Sequence, residues 1–145
     1  MKKLIVINGP NLNMLGVRET EIYGGETLRE VEEKIRDAAE KLGFEPEFFH
    51  SNCEGAIIDR IQAVYGYADA LIINAGAYTH YSYAIADALK ILRCPKIEVH
   101  ISNIKKREKF RRISVLAPVV DGCVMGQGTD GYITALNMCA ELLAR

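Results

Sequence analysis

The run Ala70-Leu-Ile-Ile-Asn74 has no polar alternation. A strand with one wet face alternates with period two, so a short, uniformly apolar run marks a strand covered on both faces. That is the setting of a central strand in a parallel sheet. Leu4–Asn8 reads as a second buried strand, the first in the chain. Phe44–His50, Lys96–His100 and Asp121–Gly126 complete a set of five. Pro46 cannot donate to a ladder, which places Phe44–His50 at an edge.

Helical signals separate these strands. Thr27-Leu-Arg-Glu30 is a capping box, and Leu28, Val31, Ile35 and Leu42 recur behind it at helical spacing until Gly43 supplies a stop. Ser51-Asn-Cys-Glu54 has the same capping pattern, ahead of Ile57, Ile58, Ile61 and Val64 on one face and Gly66 as terminator. Residues 80–92 read as a helix with Ile85, Leu89 and Leu92 inward. The last helix runs from about Thr129, with Tyr132, Leu136, Cys139 and Leu143 inward. Strands alternating with helices give an α/β fold with a parallel sheet. For five strands the expected order is 2-1-3-4-5, the flavodoxin-like arrangement, with helices on both faces.

The 145 residues suit one domain, 1–145, with a sizeable core. A net charge of −1 gives no reason to expect nucleic acid or an anionic membrane as partner. No apolar run approaches the roughly 20 residues of a membrane span. After Met1-Lys-Lys only Leu4–Ile7 is continuously apolar, against roughly 7–15 residues in a signal peptide. Cysteines 53, 94, 123 and 139 are widely spaced and form no C-x-x-C, the usage of reduced thiols in a cytoplasmic protein.

Ligands of such sheets bind beyond the carboxyl ends of the strands. Here those ends carry Asn8, His50, Asn74 (with His80 in the following loop) and His100. The strand order makes Asn8, Asn74, His80 and His100 neighbours and leaves His50 on the far side of the first strand. Intervals of 30 and 20 residues between the histidines lack the close pair usual in catalytic zinc sites, so no metal is expected. Gly126-Gln-Gly128-Thr-Asp-Gly131 fits a dinucleotide fingerprint by letter. Only 14 residues follow Gly131, too few for the next strand and its acidic residue. Its glycines are expected to serve helix–strand packing, and no cofactor is expected. The basic run Lys105–Arg112 has the composition of a solvated surface, yet it lies just after His100, where arginine suits a carboxylate ligand.

The first connection is unusual. Eighteen residues, 9 to 26, link the first strand to the helix at Thr27, where such connections take about 2–6. It carries Asn11, Asn13, Arg18 and Tyr23, with glycines at 16, 24 and 25 as hinges, and reads as a lid over residues 14–26 or so. Tyrosine, with a free pKa of about 10, becomes a base at neutral pH only if its phenolate is stabilised, and a guanidinium does that. A three-unit shift needs about 4 kcal/mol, attainable in a closed, dry site.

The runs Asn8-Gly-Pro-Asn-Leu-Asn13, Arg18-Glu-Thr-Glu-Ile-Tyr23-Gly24, Asn74-Ala-Gly-Ala-Tyr-Thr-His80, Glu98-Val-His100-Ile-Ser-Asn103 and Arg107-Glu-Lys-Phe-Arg111 together resemble the signatures of type II 3-dehydroquinate dehydratases. The resemblance covers essentially the whole chain. It implies a flavodoxin-like hydro-lyase that removes water from 3-dehydroquinate in the shikimate pathway, through an enolate. It further implies Tyr23 as base, Arg18 as its electrostatic support, His100 as general acid, Glu98 as the group orienting His100, and Asn11 at the enolate. Asn74, His80, Ile101, Ser102 and Arg111 would bind the carboxylate substrate. Asp87 would reach a neighbouring subunit's site, since the family forms trimers assembled into dodecamers. Thr20, Cys53 and Ala75 stand where the family commonly has Pro, His and Pro, and Lys105 and Lys106 where His and Ala are frequent; none of these removes an implied catalytic group. The competing reading is a non-enzymatic flavodoxin-like module that binds a small anion.

Overall fold

A computed structural model describes all of residues 1–145. Strands β1 (Lys2–Asn8), β2 (Phe44–His50), β3 (Ala70–Asn74), β4 (Lys96–His100) and β5 (Gly122–Met125) form one parallel sheet in the order β2-β1-β3-β4-β5. The helices are α1 (Thr20–Tyr23), α2 (Leu28–Lys41), α3 (Glu54–Ala63), α4 (Tyr83–Ile91) and α5 (Asp130–Leu143).

Successive strand residues feed opposite cores, as the two-residue period requires. Leu4 and Val6 of β1 join Ile72, Val99 and Val124 under α2 and α5. Ile5 and Ile7 join Leu71 and Ile73 under α3 and α4. Both faces are thereby covered, which explains the unbroken apolar run of β3. Pro46 lies on the edge strand β2, opposite Leu4.

Several local expectations shift. The Thr27 box forms, with its hydroxyl accepting from the Glu30 amide at 3.2 Å. The Ser51–Glu54 box does not. Ser51 Oγ instead accepts from the Cys53 amide at 2.9 Å, and Glu54 accepts from Ser82 at 2.5 Å. Helix α3 therefore starts at Glu54 with Cys53 as an N-cap that makes no side-chain bond. Helix α4 starts at Tyr83 rather than 80, because residues Gly76–His80 form a 3-10 turn and Ser82 caps the helix through the Ile85 amide. Leu42, expected inward, is exposed, since α2 ends at Lys41 and the chain turns out at Gly43 with φ +82°. Gly131 meets the packing expectation: a Cβ there would sit 3.3 Å from Val124 and 3.5 Å from Val99.

The ends of β1 and β3 are level, Asn8 opposite Asn74, and the two following turns touch through their backbones. A Cβ on Gly9 would lie 2.5 Å from the Ala75 carbonyl oxygen. We expect Gly9→Ala to destabilise the fold by about 1–3 kcal/mol, because neither backbone can retreat without breaking the ladder. Gly55, with open space around its Cβ position, is the control, and Ala there should stabilise by about 0.5–1 kcal/mol. Urea unfolding of both variants checks this; equal stabilities would show the turns are not packed as described.

Candidate active site

The first connection is not structureless. Leu12–Met14 forms a 3-10 turn and Thr20–Tyr23 a single helical turn. Leu12 and Leu15 are buried in the core and fix the near half, while no residue of α1 is buried. The far root is tied at Glu26, which accepts from Thr129 Oγ1 at 2.5 Å and pairs with Lys34 at 3.4 Å. Asn11 opens the connection in a left-handed conformation (φ 70°), which asparagine tolerates better than most residues. Its amide donates to Asn52 Oδ1 at 2.9 Å.

Between these roots, α1 borders a cleft of about 80 Å³ at the strand ends. Its lining brings together Asn11, Arg18, Tyr23, Asn74, His80, His100, Ile101, Ser102 and Arg111, all singled out from the sequence. Glu98 lies behind this surface, and Asp87 lies on the exposed side of α4, outside the cleft of its own chain. His50 ends β2 and does not line the cleft.

Tyr23 sits among arginines. The Arg18 guanidinium lies 4.2 Å from the centre of its ring. The phenolic oxygen itself accepts from Arg107 Nη1 at 2.6 Å. Arg107 also reaches Ser102 Oγ at 3.4 Å, so one side chain links the lid to the end of β4. The sequence places Arg107 in the basic run and at the head of the Arg107–Arg111 run, with no role of its own. Charge runs carry no positional signal, and its distinction from Lys105 or Arg112 emerges only when the 3-10 turns Ile104–Lys106 and Lys109–Arg111 are in place.

On the opposite wall, Glu98 and His100 project from the same face of β4, two residues apart. His100 Nε2 and Glu98 Oε2 are 2.5 Å apart, with both residues buried. Ser114 Oγ donates to the same carboxylate oxygen at 2.7 Å and accepts from the amides of Leu116 and Ala117. Nothing in the sequence singles out Ser114. Nε2 being tied to Glu98, Nδ1 is the ring nitrogen left for the cleft.

His80 is held by its Nδ1, which lies 2.8 Å from the Ile113 carbonyl oxygen and therefore carries the proton. Burial lowers its pKa from the ordinary histidine value, and the positive charges of His100, Arg111 and Arg107 push the same way, against the raising effect of that carbonyl. Arg111 is aligned by Glu108 at 3.0 Å. Arg18, Arg107 and Arg111 thus supply three guanidinium groups, and no carboxylate lines the cleft.

Ligand atoms of Glu98, His100 and Cys123 lie within 4.8 Å of one another. Burial and the adjacent Glu98 charge push the Cys123 thiol up to about 11, so at neutral pH it carries its proton. The carboxylate is meanwhile engaged by His100 and Ser114.

The family model for class II dehydroquinases matches residues 2–140. The chain is 56% identical over 144 residues to a 3-dehydroquinate dehydratase of Caldicellulosiruptor bescii, covering 99% of each chain. It is 56% identical over 135 residues to one from Thermotoga neapolitana, covering 93% of this chain and 92% of the relative. The crystal structure of type II dehydroquinase from Butyrivibrio crossotus superposes with a TM-score of 0.93 at 52% identity, over 95% of this chain and 97% of the other. The chain belongs to the class II dehydroquinase family.

Proposed function

We propose that this chain is a single catalytic domain with an active-site lid that removes water from 3-dehydroquinate to give 3-dehydroshikimate, as a cytoplasmic enzyme of aromatic biosynthesis. The observation that carries the reading is the opposition of Tyr23, backed by two guanidinium groups, to a buried Glu98–His100 pair across one cleft. A module that only binds an anion needs the arginines; it does not need a buried acid–base pair facing a tyrosine.

In this reading Tyr23, as phenolate, takes the proton from the carbon next to the ketone. The C–H electron pair moves into the carbonyl and leaves an enolate oxygen, which Asn11 stabilises as a hydrogen-bond donor. The enolate then collapses, the carbon–oxygen bond to the hydroxyl breaks, and His100 Nδ1 gives its proton so that water departs. Glu98 stays ionised, fixes the ring and stabilises imidazolium. Arg107 donates to the Tyr23 oxygen and the Arg18 guanidinium lies over its ring, so two positive groups face the base.

Arg111, His80, Asn74, Ile101 and Ser102 hold the substrate carboxylate and hydroxyls. No lysine lines the cleft, so no Schiff base is available to this mechanism. Asp87 would complete a neighbouring subunit's site in a trimer-based dodecamer, a role that its exposure on α4 supports.

The test is an ultraviolet assay of 3-dehydroquinate, in which the conjugated product absorbs and the substrate does not. Wild type should turn over, and Tyr23→Phe should lose about 10²–10⁴-fold in kcat while still binding product by calorimetry. Wild-type kcat in the variant would reduce Tyr23 to a loop anchor. Arg107→Ala should lower kcat by about 10²-fold, as expected for a lost donor to developing charge. Activity within twofold of wild type would remove Arg107 from the mechanism. His80 should titrate below about 6.5 in ring-nitrogen NMR, with Nδ1 protonated at neutral pH, since burial favours the neutral ring. A value at or above 6.5 would contradict the burial described.

A further inference from the structure

Tyr132 plays no part in the chemistry above, yet it is a fully buried tyrosine on α5 whose hydroxyl meets the ends of two strands. It donates to Asn8 Oδ1 at 2.5 Å and accepts from Asn74 Nδ2 at 3.1 Å. Asn74 Oδ1 in turn accepts from the Gly76 amide at 3.2 Å.

The direction of this relay follows from its one obligatory donor. A backbone N–H can only donate, so Gly76 fixes which end of the Asn74 amide is oxygen. The nitrogen must then face Tyr132, whose hydroxyl is left to accept from Asn74 and to donate to Asn8. That choice commits Asn8 Oδ1 and leaves Asn8 Nδ2 buried with no partner. Burial also raises the Tyr132 pKa, so the hydroxyl keeps its proton and the relay its direction.

Asn74 lines the cleft. With Oδ1 turned toward the Gly76 turn and one N–H spent on Tyr132, its free group is the second N–H of Nδ2. We propose that Tyr132 is a positioning residue that sets the hydrogen-bonding polarity of Asn74, so that Asn74 presents a donor, and not an acceptor, to substrate. The ligand atom opposite Asn74 is then an acceptor: a carboxylate, carbonyl or hydroxyl oxygen. This rests on the reading of the cleft as the substrate site.

Removing the Tyr132 hydroxyl frees the amide to rotate or flip, with the loss felt in binding more than in bond breaking. Tyr132→Phe should therefore raise KM for 3-dehydroquinate about 3- to 10-fold, with kcat changed by less than about threefold. The decisive measurement is a double-mutant cycle with Asn74→Ala. On the Asn74→Ala background, Tyr132→Phe should add nothing further to KM. Equal factors on both backgrounds would make Tyr132 a purely structural residue and overturn the proposal, as would an unchanged KM in Tyr132→Phe. Wild-type turnover with no KM effect of Asn74→Ala would sink the proposal and leave the dehydratase reading intact, whereas absent wild-type turnover would sink that reading itself.

Should Tyr132→Phe fail to fold, NMR of the wild-type Asn74 side-chain amide supplies the answer. One Nδ2 proton should be protected from solvent exchange and the other should shift when 3-dehydroshikimate is added. Two fast-exchanging protons, or none that shift, would refute the assignment.

Discussion

The site depends on the parallel pairing of β1 with β3 and of β3 with β4, which brings three strand ends to one level. At that level the topology switches, and the connections after β1 and β3 must leave in different directions. The Gly9 and Ala75 turns meet with no room for a side chain between them. That contact sets the cleft floor, and Asn74, held by Gly76 and Tyr132, is its polar centre. The lid arises from the same junction: Pro10, Asn11 and Leu12 leave the end of β1 and carry the chain over to Arg18 and Tyr23. Helix α5, remote in sequence, reaches the floor through Tyr132.

Electrostatics divides the cleft into two walls. On one, Arg18 and Arg107 hold positive charge against the Tyr23 ring and oxygen. On the other, the Glu98 carboxylate is withdrawn behind His100 and engaged by Ser114. The cleft lining therefore offers guanidinium and imidazole groups and no carboxylate, while the negative charge paired with His100 sits behind that lining. Burial sharpens both effects, because charge interactions strengthen as water leaves. His80, neutral through burial, serves this arrangement as a fixed dipole.

Most of the architecture was legible in the chain because its period is strong. The limits of β2, β3 and β4 match those expected, and β3 gives itself away by having no polar face. The Ser51 box misled because its serine found a nearer donor, the Cys53 amide, which a four-residue pattern does not exclude. Leu42 fitted a helical period that the chain abandons one residue earlier. In the site, residues at strand ends were found by position, whereas Arg107 and Ser114 were not. Each lies in an irregular segment whose path is set by tertiary contacts, and each acts on a partner far away in sequence: Tyr23 for Arg107, Glu98 for Ser114. The polarity of Asn74 was beyond reach for the same reason, since it is decided by a turn amide and a residue 58 positions away.

The central claim is that water is eliminated by a tyrosine base and a histidine acid without a covalent bond between substrate and protein. Treatment with sodium borohydride in the presence of 3-dehydroquinate tests it most directly, since borohydride traps an imine irreversibly. After removal of reagents, the protein should retain full activity and an unchanged mass. Irreversible loss of activity, with a substrate-sized mass increase on a lysine, would contradict the claim.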